Sequence, residues 1–527
     1  MHAMQTQTTV TVGASPVGPA EVVAVARGGA PVHLSSDALA AIDAGRRTID
    51  ALAQDDRPHY GVSTGFGALA SRHIPPERRT QLQRSLIRSH AAGSGQEVER
   101  EVVRAMMLLR LRTMATGHTG VRRGTAAAYG QLLNAGLTPV VYEFGSLGCS
   151  GDLAPLAHCA LALMGEGEVR DADGVLAPAG EALGRAGIAP VELAEKEGLA
   201  LINGTDGMLG MLVLALEDLR VLLTTADITA AMSVEGLLGT DAVFAADLQA
   251  LRPQPGQAAS AANMRAVLAG SPIVASHRGP EDPRVQDPYS LRCAPAVVGG
   301  ARDTVAHAAA VAERELASAI DNPVIAGGGD EVRVASNGNF HGAPLGYVLD
   351  FLAIVAADVA SIAERRTDRF LDPARSHGLP AFLADDPGVD SGLMIAQYTQ
   401  ASIVSELKRL AAPASVDSIP SSAMQEDHVS MGWSAARKLR RAVDGLARVL
   451  AVELITAARG VQLRAPLEPG PATGAVVAAL RSGVGGARGV EGPGPDRYLA
   501  PDIEAAYALV RSGAVVAAAE AVTGPLQ

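Results

Sequence analysis

Leu439-Arg-Arg-Ala-Val443-Asp-Gly-Leu446-Ala-Arg-Val-Leu450-Ala-Val-Glu-Leu454 repeats an apolar side chain at three and four residues, which lays one continuous stripe along a helix. The pattern runs from Val429 to Val461, well beyond the three or four turns of an average globular helix. Comparable patterns mark Glu197–Met232, Ala296–Ile320, Leu345–Arg366 and Ile395–Leu410. Leu345–Ala363 is apolar nearly all round and reads as a buried central helix. The expected fold class is therefore mainly α, with a core of long antiparallel helices in a bundle that other subunits complete.

Working outward, the chain divides into three expected regions: a smaller mixed N-terminal head at 1–195, the long-helix bundle at 196–465, and a small helical region at 466–527. Pro- and Gly-rich stretches at Ala465–Gly474 and Gly483–Pro501 set off the last region. In the head, residues 1–30 read as a loose terminus with a short strand at Thr8–Val12. Ser36 can cap a helix whose apolar face runs Leu39, Ile42, Ile49, Leu52. A glycine-rich loop, His59 to Gly67, follows, and helical patterns resume at Gln81–Ser89 and Val98–Thr116.

Composition excludes several function classes. Hydrophobic residues make up 48% of the 527 and aromatics only 3%, a core that suits packed helices better than a β-sandwich. A formal net charge of −12 argues against nucleic acid and anionic membrane surfaces. Met1 to Gly13 lacks the pattern of a signal peptide. The apolar run Gly207–Leu216 is too short to cross a bilayer, and Asp350 and Asp358 interrupt the one near Leu345–Ile362. Cys149, Cys159 and Cys293 cannot make a disulfide framework. The expectation is a soluble, cytoplasmic protein.

The chemistry-bearing stretch is Gly145-Ser-Leu-Gly-Cys149-Ser150-Gly151-Asp152-Leu-Ala-Pro-Leu-Ala-His158. Asp152 stands where a nucleophile elbow needs its second glycine. No paired zinc-ligand spacing and no phosphate-binding loop occurs. A more specific reading remains beside that of a plain helix-capping turn. Without a Cβ, the nitrogen of Gly151 can approach the carbonyl two residues back and close a five-membered ring on Cys149. Loss of water from that ring and from the Ser150 side chain leaves a methylidene-imidazolone, an electrophile that no unmodified side chain offers. Cys149 contributes only its carbonyl, so cysteine or alanine would serve.

Gly148–Leu153 together with Pro155–His158 resembles the signature of the aromatic amino acid ammonia-lyases, and the resemblance extends from Tyr60 past Gln425-Glu426-Asp427-His428. Most members carry alanine where this chain has Cys149. The resemblance implies a homotetramer with shared active sites, 4-methylidene-imidazol-5-one (MIO) formed from Cys149-Ser150-Gly151, and no metal or diffusible cofactor. It implies Tyr60 as catalytic base on a lid, which requires a phenol that ionises more easily than a free tyrosine. Asn203 would hydrogen-bond the electrophile. Gln286 to Cys293 resembles the substrate strip, with Tyr289 catalytic, Gln286 binding, and Arg292 pairing the substrate carboxylate. Phe340 resembles a pocket residue. Ser89-His90 matches the histidine-specific members, and Glu426 stands where phenylalanine and tyrosine lyases carry glutamine. His90 and Glu426 would thus meet an imidazole, and the expected reaction takes L-histidine to trans-urocanate and ammonia. A histidine 2,3-aminomutase, a tyrosine lyase and a non-catalytic homologue are the alternatives.

Overall fold

In a computed structural model, residues 9–55, 57–279, 285–327, 331–483, 486 and 488–527 are described. The chain divides into two compact units: 1–214, 309–349 and 413–437 form the first, and 215–308, 350–412 and 438–527 the second. The fold is mainly α. All the described strands lie in the first unit, as short two- and three-stranded sheets. Val10–Val12 pairs in parallel with Val32–Leu34, and Ser94–Glu97 pairs antiparallel with Tyr142–Phe144.

The long helices are Asp206–Gly236, Ala294–Leu316, Ala343–Leu371, Met394–Leu410 and Gly432–Gln462. Successive members alternate in direction. Arg302 pairs with Asp227 and Glu315 accepts from Thr205, so the second helix returns along the first. Gln400 donates to the Val449 carbonyl while Leu407 packs at Gly445, which sets the fourth helix against the fifth. The stripe that opened the sequence reading is wholly inside: Leu439, Leu446, Leu450 and Leu454 are at 0% exposure. At about 25 cal/mol per Å² of apolar surface, each such leucine adds roughly 1.5–3 kcal/mol.

Several sequence expectations change. Residues 9–30 are not loose: besides the strand they hold the helix Pro19–Ala26, with Val22 and Val25 buried and Glu21 accepting from the Gly18 N–H at 2.6 Å. Eight residues are too few to show a period. The expected strand residue Thr8 lies outside the described residues. Ser35 rather than Ser36 caps the helix Ser36–Ala53, its hydroxyl accepting from Ala38 N–H. The pattern Glu197–Met232 is two helices, Glu197–Ile202 and Asp206–Gly236, broken at Asn203-Gly204-Thr205. Ala343–Leu371 is not buried all round, because Tyr347, Phe351 and Ile354 are 50%, 46% and 43% exposed. By length and apolarity Glu197–Gly236 and Ala343–Leu371 could each cross a bilayer, so shortness excludes nothing; 94% and 61% of their most apolar windows are buried inside the protein.

The helix Arg100–Ala115 does what composition hides. Arg104, Arg110 and Arg112 are buried on it, and their guanidiniums cap carbonyls at the ends of other segments. Arg110 accounts for the break in the long helix. It donates to the carbonyls of Ala200 and Asn203 at 3.1 Å each and pairs with Asp206 at 2.8 Å. A Cβ on Gly204 would meet the Arg110 guanidinium at 2.0 Å, so a larger residue there would displace that guanidinium from the carbonyls it holds.

Candidate active site

The turn Gly145–Asp152 is held from several sides within the first unit. Gly148 and Gly151 have φ of +65° and +76°, a region side chains avoid. The Gly148 carbonyl accepts from Ser430 Oγ at 2.7 Å and Gly342 N–H at 2.9 Å, and Leu147 O accepts from Met431 N–H at 2.9 Å. A Cβ on Gly151 would lie 2.1 Å from Gly204 O, so this turn can approach the backbone of the helix break only with glycine at 151. Their contact is sealed by Asp152 N–H donating to Gly204 O at 2.7 Å.

Asp152 is fully buried with neutral donors only: Ser146 Oγ and the N–H groups of Gly207 and Met208, all at 2.9 Å. The last two belong to the N-terminal turn of the Asp206 helix, whose dipole favours an acid there. Burial nevertheless pushes the Asp152 carboxyl up to about 7. Ser146 also accepts from Gly148 N–H at 3.1 Å, so one hydroxyl ties both halves of the turn. Ser146, Gly204 and Ser430 were not singled out by sequence, and Asp152 only as part of the quoted stretch; the partners of Asp152 and Ser430, Met208 and Gly148, are distant from them in the chain.

Around this turn stand most of the expected site residues. Asn203 Nδ2 donates to Ser150 Oγ at 3.2 Å, while its Oδ1 is buried with no hydrogen-bond partner. Cys149 Sγ lies 3.4 Å from Glu426 Oε2, which also accepts from Ser421 Oγ at 2.9 Å. His90 Nδ1 meets the Leu86 carbonyl at 2.9 Å; a carbonyl only accepts, so Nδ1 carries the proton and Nε2 is left as an acceptor. Burial pulls the His90 pKa down, against a smaller opposite pull from that carbonyl and from Glu426. The Tyr60 hydroxyl accepts from Gly67 N–H at 3.3 Å.

One electrostatic expectation is overturned. Burial raises the Tyr60 pKa; the Gly67 N–H offsets it in part, and the charges of Glu426 and Asp321 add to the rise. The described chain places no cation against the phenol to favour its anion. Glu426 is thus a charge felt by Cys149, His90 and Tyr60 alike.

Phe340 is half-buried in the same unit, two residues before Gly342. Gln286, Tyr289 and Arg292 belong to the second unit. There Arg292 Nε donates to the Asp287 carbonyl at 2.8 Å and its guanidinium lies 4.8 Å from the Tyr289 ring centre, while Tyr289 is 72% exposed. Among the described residues no three His, Cys, Asp or Glu side chains converge as a metal site would require.

Residues 17–482 match the model of the aromatic amino acid lyases. The chain is 67% identical to a histidine ammonia-lyase of Streptomyces coelicolor over 519 residues, covering 98% of this chain and 100% of that one. It is 50% identical to a histidine ammonia-lyase of Sorangium cellulosum, covering 97% and 99%. Among solved structures it is similar to the histidine ammonia-lyase of Trypanosoma cruzi, with a TM-score of 0.87, 37% identity and coverage of 98% and 96%. It is also similar to a tyrosine aminomutase of Streptomyces globisporus, with a TM-score of 0.92, 36% identity and coverage of 99% and 100%.

Proposed function

The chain belongs to the aromatic amino acid lyase family, and we propose that it removes ammonia from L-histidine to give trans-urocanate. One observation carries the choice of substrate: the Glu426 carboxylate stands beside Cys149 of the turn and acts electrostatically on His90 and Tyr60. An imidazole offers a donor, an acceptor and a possible positive charge, and a carboxylate with a neutral His Nε2 acceptor answers the donors. A phenyl ring would leave both without a partner.

The family's prosthetic group fits the turn. Gly151 has no room for a Cβ, Ser150 Oγ is held by Asn203, and the orphaned Asn203 Oδ1 can turn with its amide toward a new partner. Formed from Cys149, Ser150 and Gly151, the group would supply an electrophilic carbon that turns the amine into a competent leaving group. The other steps fall to side chains. Tyr60, its oxygen oriented by Gly67 N–H, takes the β-proton. Since burial disfavours its anion, the positive charge of the bound substrate must help ionise it. Arg292 pairs the substrate carboxylate, Gln286, Tyr289 and Phe340 complete the pocket, and Asn203 steadies the electrophile.

The proposal includes a cytoplasmic homotetramer with shared sites. Its support is the exposed apolar stripe Tyr347, Phe351 and Ile354, and the exposure of Tyr289 beside Arg292. Tyr60 and Ser150 lie in one unit of one chain. Chains with Tyr60→Phe mixed with Arg292→Ala chains should therefore regain activity, whereas Tyr60→Phe mixed with Ser150→Ala should not.

Incubation with L-histidine, followed by the ultraviolet absorbance of urocanate against tyrosine and phenylalanine controls, tests the reading; a preference for either control overturns it. A histidine 2,3-aminomutase is a second reading, favoured by the likeness to the tyrosine aminomutase. Chromatography of the products separates the two, because only the mutase yields β-histidine.

A further inference from the structure

Ring closure would consume only the carbonyl carbon of Cys149, so the cysteine side chain survives on the neighbouring Cα, beside the electrophile. Its surroundings are specific. Cys149 is 7% exposed and packs with Val429 and Met431 in one apolar cluster, against which Leu147 and Ala414 are also laid. Two of these neighbours, Val429 and Met431, follow Glu426 closely in the chain, so the cluster fixes the distance between the thiol and that carboxylate. Sγ lies 3.4 Å from Glu426 Oε2, within reach of a sulfur hydrogen bond. Burial, then Glu426 itself, pushes the thiol up to about 12, so the sulfur keeps its proton and can only donate to the carboxylate.

Glu426 is otherwise lightly held on this chain. Ser421 Oγ donates to the same Oε2 at 2.9 Å, and the backbones of Ser421 and Glu426 exchange hydrogen bonds at 2.8 and 3.2 Å. Both side-chain donors engage Oε2 and leave Oε1 to other partners. Among the described residues no cation is paired with Glu426, so these two donors fix its rotamer.

Resting on the reading of Glu426 as partner of the substrate's imidazole, the geometry points to Cys149 as a positioning residue for specificity: its thiol links the electrophilic turn to the ring-binding carboxylate and aims that carboxylate at the imidazole. Alanine at this position would still supply the carbonyl for ring closure but would leave Glu426 to Ser421 alone. The residue that departs from the commoner alanine thereby gains a task in substrate choice that the electrophile does not require.

The test uses full-length protein in two backgrounds. In active enzyme, Cys149→Ala should raise KM for histidine about three- to tenfold, the scale of one modest hydrogen bond, with a smaller change in kcat. Cys149→Ser keeps a donor and should restore at least half of that loss. In the Ser150→Ala background, where no methylidene can form, calorimetric binding of L-histidine should weaken by the same factor on adding Cys149→Ala. Binding of L-phenylalanine, whose ring gives Glu426 no donor, should not change. Equal histidine binding with cysteine and alanine, failure of serine to rescue, or equal losses for histidine and phenylalanine each overturn the inference while leaving the substrate reading intact. If histidine binds the Ser150→Ala protein no better than phenylalanine does, the substrate reading falls and the inference with it.

Discussion

Glu453 is buried and Glu426 half-buried, and the two regions around them treat a carboxylate in opposite ways. In the second unit Glu453 is at 0% exposure and fully answered. Arg366 grips both oxygens, Thr229 Oγ1 donates at 2.8 Å and Ser233 Oγ at 3.0 Å, so three long helices share one neutralised knot. Such a knot fixes the register of the helices and has no spare valence. In the first unit Glu426 receives a serine hydroxyl and a thiol, and among the described residues no guanidinium. Its charge instead reaches Tyr60, His90 and Cys149. Asp152 stands between the two: it is held by one hydroxyl and two backbone N–H groups, its pKa is pushed up to about 7, and it is buried where it ties the turn to the Asp206 helix. The difference separates charge that organises the fold from charge kept available for a ligand.

The sharpest break in that comparison is Ser150→Ala. It removes the hydroxyl whose loss as water would create the methylidene, so no electrophile can form and activity should fall by at least about a thousandfold, within the range set by loss of a covalent catalytic group, while the melting temperature barely moves. The unmutated chain should weigh about 36 Da less than its sequence, the two waters lost in a backbone modification. A full unmodified mass in active protein would refute the electrophile. Arg366→Ala should do the reverse. It strands Glu453 in the core and should cost about 3–5 kcal/mol of stability by denaturant titration, with kcat retained in the folded fraction. Stability unchanged to within 1 kcal/mol, a threshold set by the usual surface-mutation scatter, would show that the knot carries no load.

A smaller effect is expected at Arg292, which lies in the second unit but is assigned to substrate. Arg292→Ala should lower kcat/KM about ten- to a hundredfold, for a charge-assisted hydrogen bond of roughly 1.5–3 kcal/mol. Histidine methyl ester, a poor substrate throughout, should lose far less. Equal losses for acid and ester would remove Arg292 from the carboxylate and return it to the structural side of the comparison.

The same division explains what could be read from the sequence. Leu439, Val443, Leu446, Leu450 and Leu454 announce their helix because burial of a helix face is periodic. The break at Asn203-Gly204-Thr205 is silent, because its cause is Arg110, some ninety residues away in the chain. Likewise the exposed Tyr347, Phe351 and Ile354 look like core on paper; hydrophobicity does not say what covers it. In the site, Cys149-Ser150-Gly151, Tyr60, Asn203, His90 and Glu426 were legible as a recurring pattern, and the structure gathers them in one unit. Ser146, Ser421 and Ser430 were not, since a serine acquires its role only from the acceptor it meets. The ease of ionising Tyr60 was misjudged for a related reason. A sequence shows the phenol but not its burial.

That misjudgement gives the finest test. Burial is the main reason the Tyr60 pKa is raised, and the Glu426 charge adds a lesser part. Glu426→Gln keeps the shape and removes the charge, so the Tyr60 pKa should fall toward its ordinary value without reaching it. Tyr60 acts as a base, so activity rises with pH as the phenol ionises. Losing the Glu426 charge should therefore move the rising limb of kcat/KM to lower pH. The His90 pKa should move the same way, because Glu426 props it up as well. The two remain separable, since His90 titrates on the acid side of a free imidazole and Tyr60 on the alkaline side of a free phenol. The substrate's own groups titrate identically in both proteins and cancel in the comparison. Glu426→Gln should also lower the plateau for histidine, while the plateau for phenylalanine stays or rises, since only an imidazole loses a charged partner. A limb that stays put, or moves upward, would mean that Glu426 does not act on the base, and its contrast with Glu453 would shrink to a difference in hydrogen bonding.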